Sequence, residues 1–222
     1  LCVYLTLDVN SLVKKVLESG GGLKEGFTAA VHKFAMKYNC EGIILTNYYT
    51  ENTPEMYAEY LRSGSGIGYE NWLYETNRYI IRTVSEAIRK TSNTTAVGIF
   101  MEDMWANASA KEGGSDTADT KQAYFDGFCD TKSYVESELA DFVMLKAYGS
   151  TEDIALNFEK VVSWWYELAE KSGVKCYVCH LNERIGSKSG WNEDQLLRQL
   201  TIMDEHFQNL GGSAFNSYAS LH

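Results

Sequence analysis

Ala140–Ser150, ADFVMLKAYGS, is the stretch whose reading decides the fold. Its apolar run Phe142-Val143-Met144-Leu145 is too short for a helix and follows a helical pattern. It therefore reads as a strand covered on both faces, the condition of a parallel sheet. Lys146 and Tyr148 stand at its C-terminal end. In barrels and open α/β sheets the loops leaving the strands converge over that end, and sites are built there.

The same unit of strand, polar or aromatic tip, loop and amphipathic helix recurs on both sides of this stretch. Upstream lie a strand Cys2–Asp8, a short helix Leu12–Leu17 and a helix marked by Phe27, Val31, Phe34, Ala35 and Tyr38. A strand Gly42–Tyr49 follows, then a tyrosine-rich loop holding Pro54, a long helix Tyr69–Lys90 and a strand Ala96–Met101. The polar stretch Glu102–Asp119 reads as a functional loop, and Thr120–Leu139 as a helix. Downstream, Asp153 is expected to cap a helix with the inner stripe Phe158, Val161, Val162, Trp165 and Leu168. A strand Val174–His180, a helix striped by Leu196, Leu200, Met203 and Phe207, and a strand Ser213–Tyr218 complete the pattern.

Six strands alternating with helices specify an α/β parallel sheet, because right-handed crossovers place each helix on one face. A closed eight-stranded barrel takes about 250 residues. The expectation is one domain over residues 1–222, a (β/α)8 barrel of TIM type with six of its eight strands visible and two N-terminal units upstream. Upstream sequence, other domains of a parent chain or another chain would then pair with Cys2–Asp8, since a bare apolar edge invites aggregation.

The net charge of −10 and the lack of any Lys/Arg cluster argue against nucleic acid or an anionic membrane as partner. No apolar run reaches the roughly 18 residues of a membrane span, so no membrane insertion is expected. The five cysteines fall mostly in apolar surroundings and read as buried thiols. Cys176 and Cys179 are spaced like a redox or zinc pair but lie in a strand, where residues three apart face opposite ways. Asn93-Thr94-Thr95 and Asn107-Ala108-Ser109 fit the glycosylation pattern. With no phosphate loop, no nucleophile elbow and no second histidine at ligand spacing, neither cofactor nor metal is expected.

Function must be read from the strand tips. Carboxylates stand there as Asp8, Glu102, Asp103 and Glu183. One of Glu102 or Asp103 facing Glu183 across a barrel mouth is the candidate catalytic pair. The plainer reading is that Glu102 and Asp103 cap amides or pair with bases, and that Glu183 pairs with Arg184. Lys146 could hold a substrate carboxylate or pair with a neighbouring acid. His180 could donate to a hydroxyl, or be a structural histidine. Tyr48, Tyr49, Trp105, Tyr148 and Tyr218 all fall at or just past strand ends, with Asn47, Asn107, Asn182 and Asn216 close by. Rings for the apolar faces of sugars and amides for their hydroxyls make carbohydrate the expected ligand. Of Trp164 and Trp165, both on a helix, one is expected in the core.

From about Asn39 onward the chain resembles the bacterial glycosyl-hydrolase-like (β/α) barrel family. The most specific part is Gly114-Ser115-Asp116-Thr117 followed by Ala123-Tyr124 and Asp130-Thr131, which is similar to that family's GSDT, AY and ADT pattern. Gly42-Ile43 with Tyr48, Gly98-Ile99 with Trp105 and Asn107, Asp141 with Tyr148, Trp164-Trp165, and Tyr177-Val178 with Ile185-Gly186 extend it. The resemblance implies that these strands are the third to eighth of a barrel, and it adds Asp116 to the candidate substrate contacts. Where the family's fourth strand ends in paired aspartates, this chain has Thr46 and Asn47, which can hydrogen-bond a sugar but cannot serve as acid or nucleophile. Two readings follow: a bacterial surface or extracellular barrel that hydrolyses a glycan with carboxylate assistance, and an inactive barrel kept as a glycan-binding or structural module of a larger surface protein.

Overall fold

The computed structural model describes residues 4–38, 40–92, 94–102, 104–186 and 191–216. In chain order these form β1 (Tyr4–Asp8), α1 (Val9–Glu18), α2 (Leu23–Lys37), β2 (Gly42–Thr46), α3 (Pro54–Ser63), α4 (Tyr69–Thr91) and β3 (Ala96–Met101). Then come α5 (Thr131–Glu136), β4 (Phe142–Lys146), α6 (Phe158–Ser172), β5 (Lys175–His180), a 3-10 turn (Asn182–Arg184), α7 (Glu193–His206) and β6 (Gly212–Phe215). All six strands are parallel, and each hydrogen-bonds the next in sequence. A doubly wound sheet reverses its strand order at a switch point. This one never does, and it curls into an open part of a TIM-type barrel.

Parallel register sorts the side chains into two faces. Ile43 pairs with Val97 and Leu45 with Ile99, and the rows continue through Val143 and Leu145 to Cys176 and Val178. These residues are all buried, because the helices lie over them. The alternate set Ile44, Phe100, Met144 and Tyr177 faces inward and is only half-buried, and Tyr4 is 45% exposed. Of the expected cover on both faces of Phe142–Leu145, the helix side is complete, while on the inner face Phe142 is buried and Met144 half-buried.

The lower part of the inner face is filled by rings set over glycines. Tyr4 and Phe142 meet edge to face at 5.8 Å, and Phe142 and Tyr177 at 5.6 Å. A Cβ at Gly42, Gly98 or Gly211 would run into the ring of Tyr4, Phe142 or Tyr177 respectively. Glycine on one strand gives room for an aromatic on its neighbour, a pairing that also shields the bare backbone.

Several local readings are corrected. The tyrosine-rich stretch after β2 contains α3, started by Thr53, whose hydroxyl accepts from the Met56 N–H, and by Pro54 in the first turn. Proline is suited to that position because its missing N–H has no partner there in any helix. The helix expected over Thr120–Leu139 shrinks to α5. The amides of Ala123 and Tyr124 donate to Met104 and Trp105 carbonyls instead of to their own preceding turn, and Phe128 adopts φ 48°. Asn157, not Asp153, caps α6, accepting from Glu159 and Lys160 N–H. Asp153 holds the turn before it through Ala155 and Leu156 N–H. Asp8 starts α1 earlier than expected, accepting from Ser11 N–H. The last strand ends at Phe215, and residues 217–222, including Tyr218, lie outside the described residues. Cys2 and the start of the first expected strand lie outside them as well.

Gly98→Ala should cost about 1–3 kcal/mol of stability, because the added methyl overpacks against the Phe142 ring. In a Phe142→Ala background the same change should cost much less, a difference that urea unfolding of the four proteins measures.

Candidate functional site

With all strands running one way, their C-terminal ends share one rim. Polar groups there form a string. Asp8 at the tip of β1 accepts from the Asn47 side-chain amide at 2.8 Å, and the Asn47 backbone N–H donates to Glu102 Oε1 at 3.4 Å. Glu102 Oε2 lies 3.8 Å from Lys146 Nζ, and that ammonium sits over the Tyr148 ring, 5.3 Å from its centroid. Asn216, just past β6, donates to the Tyr148 hydroxyl at 2.9 Å. Asn47 holds φ 43°, a region that asparagine tolerates better than most residues, and this aims its amide at Glu102.

Between the tips of β3 and β4 lies a cavity of about 380 Å³, within the range of small-ligand sites. Glu102, Lys146 and Tyr148 line it, with Trp165 among the apolar lining and Lys121 and Arg184 among the polar. Both Glu102 oxygens accept a hydrogen bond or face a cation, the setting of a nucleophile or base more than of a proton donor. The pair is a fifth to a third exposed, so it contributes no more than about 1 kcal/mol to stability.

Burial raises the Tyr148 pKa, with Cys179 and the Glu183 charge adding to it, so the phenol stays protonated and can donate to a ligand. For Asp8, burial acts upward but is outweighed by hydrogen bonds from Ser11 and Asn47 and by the Lys14 charge, so its pKa falls below the usual value. Glu183 is exposed in the 3-10 turn, close enough to Tyr148 to act on it. Glu102 lines the cavity, and Glu183, on the β5 side, is not among its lining residues. Asp103 lies outside the described residues.

Other expected contacts are placed elsewhere. His180 is fully buried: its ring stacks between Phe158 and Phe215, and Nδ1 and Nε2 reach Gln199 Oε1 at 2.9 Å and Ser213 Oγ at 3.1 Å. Gln199 Nε2 donates to the Gly149 carbonyl, which turns Oε1 toward His180 and puts the ring proton on Nδ1. Tyr48 is also fully buried, packed edge to face with Tyr49. Trp105 is buried too, donating to Asp130 and stacking on Trp164 at 5.9 Å, while Trp165 is the core tryptophan of the pair. Asn107 ties the long loop together: its amide donates to Asp119 O, and its Oδ1 accepts from Thr117 Oγ1 and Asp119 N–H. Asp116 is exposed and pairs with Lys160 on the outer side at 2.6 Å. Asn182 is buried at the start of the 3-10 turn. Burial pushes the Cys176 thiol up to about 12 and raises that of Cys179, and both are free, so neither is poised for redox work.

Asn77 is a positioning residue that sequence reasoning passed over. Buried on α4, it accepts from Thr50 N–H and Oγ1 and donates to the carbonyls of Gly127 and Phe128, joining two loops that leave the rim. The signal was an asparagine four residues from Leu73 and from Ile81, on a stripe otherwise apolar. Lys121 was likewise not singled out, and Arg184 entered only as a partner for Glu183, a pair not within ion-pair distance among the described residues.

Burial lowers the His180 pKa below 6.5, although its bond with Gln199 acts the other way. On acidification the unfolded chain takes up this proton first, so the contribution to stability is whole above about pH 6.5 and is lost as pH falls toward the folded value. The urea midpoint should drop between about pH 8 and about pH 5.5, and His180→Gln should flatten that slope.

No protein-family model matches the chain. Over 182 residues it is 23% identical to the protein named glycosyl hydrolase DigH of Escherichia coli strain K12, a match covering 79% of this chain and 41% of that protein. It is 20% identical over 136 residues to the protein named glycosyl hydrolase YngK of Bacillus subtilis, covering 60% of this chain and 27% of that one. The chain thus spans about two fifths or less of the length of these curated relatives. Among solved structures, the endo-1,4-beta-D-mannanase of Thermotoga petrophila superposes with a TM-score of 0.53 at 12% identity, over 97% of this chain and 63% of that one. A second endo-beta-1,4-mannanase structure from Thermotoga petrophila gives a TM-score of 0.50 at 14% identity, over 87% and 41%. The chain is glycosyl-hydrolase-like in sequence, and its fold is part of a TIM-type barrel.

Proposed function

We propose that this chain carries the substrate-holding rim of a barrel that hydrolyses a glycan at a bacterial surface or outside the cell. The observation that carries the reading is Glu102, set at the wall of the cavity between a backbone N–H and the Lys146 ammonium, with the Tyr148 ring beside that ammonium. In this reading Glu102 acts as nucleophile or base, and the second carboxyl comes from Glu183. Lys146 orients Glu102 and steadies negative charge as it shifts, and Tyr148 donates to a sugar hydroxyl. Leu156, half-buried in the cavity wall, offers apolar contact for a sugar face.

A second reading is favoured by Thr46 and Asn47, which stand where a carboxylate pair is expected, and by Lys146 already occupying Glu102. Here the rim binds a glycan without cleaving it.

The two part on turnover. With the full chain of the parent protein and a panel of cell-wall and mucin glycans, Glu102→Gln should lower kcat at least about 100-fold, and Glu183→Gln should lower it to a lesser degree or equally. Turnover that survives both changes overturns the assignment. Glycan binding with no turnover in the wild type decides for the second reading.

A further inference from the structure

The cavity has an uneven electrostatic wall. Three acids and three bases line it in a chain of net charge −10, so it is markedly less negative than the rest of the surface. The acids are already engaged. Asp119 accepts from Lys121 N–H at 3.0 Å and Met104 N–H at 3.4 Å, Asp153 from Ala155 and Leu156 N–H, and Glu102 faces Lys146. Two of the bases are not: among the described residues, neither Lys121 nor Arg184 has a carboxylate within ion-pair distance.

Arg184 is nonetheless held in place. It closes the 3-10 turn after β5, one guanidinium N–H donates to the Tyr148 carbonyl at 3.4 Å, and the group lies over the Trp191 ring at 5.6 Å. A guanidinium has five N–H donors, and among the described residues one is spent, on the Tyr148 carbonyl. Its planar fork matches the two oxygens of a carboxylate, and an ammonium on the facing loop supplies a second, looser contact.

We propose that Arg184, with Lys121, forms a subsite for the carboxylate of an acidic sugar residue. The proposal rests on the glycan-site reading above and narrows it: the sugar unit next to Glu102 is a carboxylate-bearing one. Both cations are exposed, so a neutral sugar leaves them to water, whereas a carboxylate accepts charge-assisted hydrogen bonds from them. Lys146 is not part of this subsite, since Glu102 engages it.

The test is calorimetric titration of the full chain with a hexuronic-acid tetrasaccharide and with its carboxyl-reduced neutral counterpart. The acidic sugar should bind at least about tenfold more tightly, and rising salt should erode the difference. Arg184→Gln should bring the acidic sugar's affinity close to that of the neutral one, and Arg184→Lys should keep part of the preference. If Arg184→Gln fails to fold, Lys121→Gln on its exposed loop and the salt dependence of the wild type read out the same preference. Equal binding of the two sugars by the wild type, or a full preference kept in Arg184→Gln or Lys121→Gln, overturns the subsite and leaves the glycan reading standing. Binding of neither sugar, or of any member of the glycan panel, overturns both.

Discussion

Parallel pairing is the constraint on which the rest depends. A strand that must lie beside its predecessor in the same direction needs a crossover, and the crossover returns the chain to the other end of the sheet. Five repetitions, each adding a strand beside the last, deliver six C-terminal tips to one rim. Asp8, Asn47, Glu102, Lys146 and Asn216 come from five different strand ends, and no two of the five are neighbours in sequence. Their linkage through contacts of 2.8 to 3.8 Å and the Tyr148 ring follows from the ladder, not from local sequence.

Stability and site draw on different faces of the same strands. The helix-facing rows of β2 to β5 are buried to the last few per cent and supply the hydrophobic term. The rim contributes little, since a partly exposed ion pair is worth at most about 1 kcal/mol and the positive φ of Asn47 costs energy. The half-buried inner face, with its aromatic rings resting on glycines, separates that rim from the sheet's other end.

The loops over the rim are stitched rather than left loose. Asn107 and Ser115 bind the two limbs of the long loop, with Ser115 donating to the Ala106 carbonyl, and Asn77 ties two loops to α4 from below. The residues that looked most like sugar contacts by position, Trp105 and Asn107, are consumed in this stitching. The Lys111 ammonium lies 4.0 Å from the Tyr124 centroid beside them, closing the outer surface of the loop.

The order and direction of the strands, the helices with clear stripes and the barrel class were legible in the amino-acid sequence. Apolar periodicity reports burial, and burial against helices is what makes a parallel sheet. Short elements were not: α3 is set by Thr53 and Pro54 against an aromatic surface, and α5 loses its expected length because Ala123 and Tyr124 give their amides to Met104 and Trp105. For the site, sequence alone identified Glu102, Lys146 and Tyr148 as tip residues. Only the tertiary structure decided that these three share a cavity with Arg184 while His180 and Tyr48 turn into the core. A side chain at a strand end can face the mouth or the helices, and that choice rests on strand register and on partners such as Gln199, 19 residues from His180 in sequence, which no local pattern encodes.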